Sequence, residues 1–290
     1  MALLAQASPP AAPTPEAVTV GRVSVVAWPA QAGLGVALAE AADRAAPFPG
    51  IGPLPGRPIR LILAPSRAVF DSLTRGRLPA WSDGAAFPEV ATVVLLSDRP
   101  SVRLSDALRH ELAHLALRWR VRRPLPLWFE EGYAAVAAKE WGRLDALRLN
   151  WQLARGGRMD LDEVDAALRG DATDAQTAYA LATTAVLLLE RWGGDRGLGA
   201  LIERLGPAGG FDAALRQTYH VTEGDFEERW QRDLSAHYGW LAWAQAVGAF
   251  WALLAVLMVW LVVLRRRRDR VRRARLDEGW TLPPDDTPTA

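Results

Sequence analysis

Residues 105–138 read "SDALRHELAHLALRWRVRRPLPLWFEEGYAAVAA", and the five at 110–114, HELAH, decide how the rest is read. The chain has four histidines, and two of them stand four apart with a glutamate directly after the first. Leu104, Leu108, Leu112 and Leu115 recur at helical spacing, which predicts a helix anchored by a leucine stripe. On that helix His110 and His114 fall on one face a turn apart, close enough to share a metal ion. Glu111 is rotated to one side, placed to reach a water beside the metal without ligating it. The bland reading of the same five residues is a helix with two polar side chains on one face.

A third ligand decides between the two. A third histidine in the longer HExxHxxGxxH pattern is excluded, because Leu117 and Arg120 occupy the required positions. The remaining source is a carboxylate on a following helix. Pro124 and Pro126 end the first helix and force a turn, and the next helix then returns with Glu130 and Glu131. These two are about 100° apart around it, so only one faces the metal. Taken alone, the spacing leaves that choice open.

HELAH followed by P-x-W-F-x-E-G-x-A resembles the gluzincin zinc metallopeptidases, in particular the small peptidase MA-like or minigluzincin group. The resemblance covers roughly residues 20 to 235 and is specific around 110 to 134. It implies that Glu131, the Glu before Gly, is the third ligand to one Zn²⁺ beside His110 and His114. It also implies peptide-bond hydrolysis by zinc-activated water with Glu111 as general base. Two looser assignments follow from it. Tyr179 would donate to the oxyanion, against the plainer role of a buried Tyr. The stretch "AWSDGAAF" would be an edge strand that pairs with extended substrate, Gly84, Ala85 and Ala86 leaving room for the peptide and Ala91 to Leu96 forming the inner strand. A surface turn at 82–84 is the alternative there. The rival function is a non-catalytic binding module in a peptidase-like fold.

Outward from the motif, residues 18–97 mix strand and helix signals. "VTVGRVSVVAW", "PIRLILAP" and "ATVVLLSD" read as strands, and "SRAVFDSLTRG" as a helix capped by Ser66 with Gly76 beyond its end. From Ser105 to His237 the pattern is helical. The expected class is therefore α+β: a small N-terminal sheet with helices, the HExxH helix at the junction, a helical C-terminal half, and then one transmembrane helix. That last element is read from 240–264, in which Ala246 to Leu264 carry no charge and "RRRRDRVRRAR" follows. The expected organisation is a signal-peptide remnant or Pro/Ala-rich leader at 1–17, a metallopeptidase domain at 18–238, the membrane helix at 240–264 and a basic cytoplasmic tail at 265–290. This would make a single-pass membrane protein with the peptidase domain outside the cytoplasm, acting on protein or peptide. The arginines around the motif, Arg109, Arg118, Arg120, Arg122 and Arg123, keep the site out of hydrocarbon.

A net charge of +1 gives no electrostatic reason to expect nucleic acid as a partner, and the absence of cysteine excludes disulfides and thiolate metal sites. His220 reads as an incidental loop histidine. Asp162, Glu163 and Asp165 lack calcium-loop spacing and read as a solvated helix start.

Overall fold

The computed structural model describes residues 14–98, 101–155, 157–205, 209–238 and 240–277. In chain order the elements are β1 (Glu16–Val20), β2 (Val23–Ala27), α1 (Ala32–Asp43), β3 (Ile59–Ala64), α2 (Arg67–Thr74), β4 (Gly84–Phe87), β5 (Thr92–Leu96) and α3 (Ser101–Arg120). Helices alone follow: α4 (Leu127–Ala138), α5 (Arg143–Ala154), α6 (Leu161–Ala167), α7 (Ala172–Trp192), α8 (Gly199–Leu205), α9 (Phe211–Tyr219), α10 (Glu223–Tyr238) and α11 (Trp240–Asp277).

The sheet order is β1-β2-β3-β5-β4. β2, β3 and β5 run parallel, and the two edge strands, β1 and β4, are antiparallel to their neighbours. The Val-rich stretch at the start becomes the β1–β2 hairpin, turned at Gly21 with positive φ. Every residue of β5 is buried, because both faces of the sheet are covered. Leu61, Leu63, Val93 and Leu95 face the main core with Leu38 of α1 and Leu104, Leu108 and Leu112 of α3. Ala64, Val94 and Leu96 face the other way, with Phe70 of α2 and Ala85. Ser66 caps α2 through Val69 N, and Arg75 and Gly76 close it with positive φ.

The helical half packs on α3 and α4. Trp128 and Phe129 of α4 meet Phe211 and Phe226, with ring centroids 5.0–5.7 Å apart. α4 begins at Pro126, whose side chain offers no cap. Asp165 of α6 supplies one from outside: its carboxylate accepts from Leu127 N at 3.2 Å and Trp128 N at 2.6 Å. Asp165 is thus a structural cap, whereas Asp160 and Glu163 form the capping box of its own helix.

One expectation is corrected here. Among the described residues no helix is long and apolar enough to cross a membrane. α11 is a single 38-residue helix that runs from the apolar stretch straight into the arginines. The transmembrane helix at 240–264, and the single-pass membrane localisation drawn from it, are therefore withdrawn. The leader at 1–17 lies outside the described residues up to residue 13, as does the end of the tail from residue 278.

Candidate metal centre

Two arginine clamps hold α3 and α4 antiparallel. Near the start of α4, Arg118 lies 3.1 Å from Glu130 Oε1, an ion pair without an aligned hydrogen bond. Near its end, Arg109 Nε donates to Ala137 O at 2.6 Å. The Arg109 guanidinium also donates to Ala46 O and Pro47 O and lies over the Phe48 ring. Trp119 Nε1 donates to Pro88 O and ties the end of α3 to the segment after β4. On the far side of α4, Gly132 lets α7 approach: a Cβ there would come within 2.7 Å of Val186 and closer still to Ala182 O.

This frame brings together three metal-binding groups from two helices. His110 Nε2 and His114 Nε2 lie 3.1 Å apart, and Glu131 Oε2 lies 3.5 Å from the first and 3.7 Å from the second. Zinc bonds of about 2.0–2.1 Å to nitrogen and oxygen place tetrahedral ligand atoms about 3.3–3.4 Å apart. The observed separations bracket that spacing, and two neutral imidazoles with one carboxylate are a borderline-soft donor set of the kind zinc takes. The triplet therefore fits a zinc ion. Among the described residues, His110, His114 and Glu131 are the group able to hold a metal.

The electrostatics match. Despite burial, His114 and His110 hold the Glu131 carboxyl far below the usual carboxylate range, so it is ionised. Burial works against a charged His110, but Glu131 and Glu140 outweigh it and raise its pKa well above the ordinary value. His114 is likewise buried and raised, mainly by Glu131. Burial pushes the Glu111 carboxyl up, opposed by His110 and His114. Burial also pushes the Tyr179 phenol up, and the surrounding carboxylates push it further, so it keeps its proton at neutral pH.

Tyr179 of α7 brings its hydroxyl within 2.7 Å of His110 Nε2 and stacks on that ring at 5.7 Å. Gly84 begins the edge strand β4 and lies against Glu111: a Cβ there would be 2.9 Å from its carboxyl carbon and closer to its oxygen. Ala85 points into the small cluster on the other face of the sheet, and Ala86 packs on the main core. A cleft of about 790 Å³ runs along β4 past His110, Glu111, His114, Glu131 and Tyr179. His220 lies away from it, as the left-handed cap of α9.

Two residues escaped the sequence reading. Glu140, just past the left-handed end of α4 at Lys139, puts Oε1 3.4 Å from His110 Nδ1, whereas Nε2 is the nitrogen near His114 and Glu131. Trp81 lies edge-on to Tyr179 at 6.4 Å and lines the cleft. No periodicity could flag either, since one follows a helix end and the other precedes a strand. No protein-family model matches the chain, and no curated protein matches it.

Proposed function

We propose that this chain is a zinc metallopeptidase of the gluzincin type. One observation carries the proposal: His110, His114 and Glu131 converge at ligand spacing beside Glu111, in a cleft bordered by a free strand edge. Zinc, when bound by His110, His114 and Glu131, supplies a Lewis acid that polarises a carbonyl and lowers the pKa of water. Glu111, its carboxyl pKa raised by burial, takes the proton of the attacking water and passes it to the leaving amine. Tyr179, protonated, donates a hydrogen bond to the oxygen on which negative charge develops. Glu140 accepts from His110 Nδ1–H and fixes that ring's tautomer and orientation. Among the described residues the outer edge of β4 has no strand partner, and an extended peptide pairing there would be gripped with little demand on its sequence.

The test is elemental analysis of the purified full chain together with cleavage of an unstructured peptide. One zinc per chain is expected, with cleavage that stops on chelation. Glu111→Gln should retain zinc and lose about 10²–10⁴-fold in rate. A Glu111→Gln protein as active as the parent would instead favour a binding module.

A further inference from the structure

A second cavity, of about 530 Å³, adjoins the metal cleft. The two share Trp81, Glu140 and Tyr179 as walls. The rest of the second chamber comes from the end of α4 with Trp141 beyond it, from α5, and from the outer face of α7. Its volume lies within the roughly 300–1,000 Å³ typical of ligand sites.

Resting on the peptidase reading, we propose that this chamber is a specificity pocket that takes an aromatic side chain of the substrate next to the cleaved bond. Position argues first. The chamber opens beside Tyr179, whose hydroxyl reaches His110, so a side chain seated there belongs to a residue held at the metal. Shape and chemistry argue second. Trp81, Trp141 and Tyr179 offer three aromatic rings, and Ala135, Ala175 and Ala180 keep the walls between them low. Aromatic rings favour edge-to-face or offset contact with another ring.

Charge argues third. The chamber carries Glu140, Asp145 and Arg148, yet each is already engaged. Glu140 faces His110; Asp145 accepts from Gly142 N at 3.0 Å and lies 3.5 Å from Arg148. The side chains of all three are a third or more exposed or nearly so, so none presents a buried charge to select a basic or acidic side chain. The carboxamides of Gln152 and Gln176 and the Thr183 hydroxyl add polar groups that tolerate a phenol or indole as readily as a plain ring.

The experiment uses one unstructured peptide series with Phe, Ala, Glu or Lys at a single position, read in two ways. The zinc-loaded full chain is assayed for kcat/KM, and the Glu111→Gln chain for peptide Kd. The Phe peptide should exceed the others by about tenfold or more in both readouts, since even one methylene in an apolar pocket changes discrimination by that order. Ala180→Trp and, should it not fold, Gln176→Trp fill the chamber from α7. Either should bring the Phe-to-Ala ratio near one with zinc content unchanged. Cleavage of the whole series at equal rates, or a preference that survives the filled chamber, overturns the pocket and leaves the peptidase reading standing. Tighter binding of the Phe peptide, abolished by Ala180→Trp, with no cleavage by the parent chain, keeps the pocket and removes the peptidase reading.

Discussion

Glu130 and Glu131 are adjacent in sequence and face different partners: Glu130 meets Arg118, and Glu131 meets the two histidines. Glu131→Gln replaces an ionised ligand by a neutral amide and should lower zinc affinity sharply, by about 10–100-fold or more. Glu130→Gln loses only part of an ion pair with a half-exposed arginine and should leave zinc content near one per chain. An exchange of these behaviours, read by metal titration, would overturn the ligand assignment. Gly84 calls for a different expectation from a substrate-binding glycine. Because a Cβ there meets the Glu111 carboxylate, Gly84→Ala should lower kcat by displacing the base while zinc stays bound. A rise in KM at unchanged kcat would return Gly84 to the substrate alone. The histidine pair was legible because the helical period fixes it. The choice of Glu131 over Glu130 rested on the family resemblance, since the spacing left both open. Glu140 was hidden, because a residue after a helix end is placed by the turn and by tertiary contact, neither of which has a period.

α4 carries Glu131, the proposed third ligand, and its position depends on two neighbours. α7 packs where Gly132 has no side chain, and Asp165 of α6 caps its first turn. Gly132→Ala puts a methyl against Ala182 and Val186 and should cost about 1–3 kcal/mol of stability. Because the shift moves Glu131, zinc affinity should fall in the same variant; thermal melts and metal titration of one preparation check both. A lowered melting temperature with parental zinc affinity would show that α4 yields away from the site. β3 and β5 were legible as short apolar runs bounded by breakers. β4 was expected only through the family resemblance, as the edge strand within "AWSDGAAF"; "GAAF" has little strand propensity of its own and pairs because β5 offers it an edge. Asp165 read as a solvated helix start because a cap supplied from a distant helix leaves no mark at the position it caps.

At the scale of the molecule, composition and periodicity separated a mixed first half from a helical second half, as the fold has them. They failed at 240–264, where an apolar run was taken for a span. The helix there continues into the arginine-rich tail, and among the described residues no helix is long and apolar enough to cross a membrane. The buried charges of the metal centre also set how the whole domain responds to pH. In chelator-treated protein, His110 and His114 have folded pKa values raised above 6.5, so their contribution to stability is complete below 6.5 and is lost as pH rises through the folded values. Glu111, raised above 4.5, acts in the same direction, because its burial favours the protonated form. Glu131, depressed below 4.5, contributes above 4.5 and loses its effect only in strong acid. The stripped chain should therefore melt at a lower temperature at about pH 8 than at about pH 6. Zinc bound at the proposed site would reverse the dependence, since it must displace the histidine protons and competes better as they leave. The rise in melting temperature on adding zinc should then be larger at about pH 8 than at about pH 6. A zinc-induced rise equal at the two pH values would mean that the ion is held by groups other than these histidines.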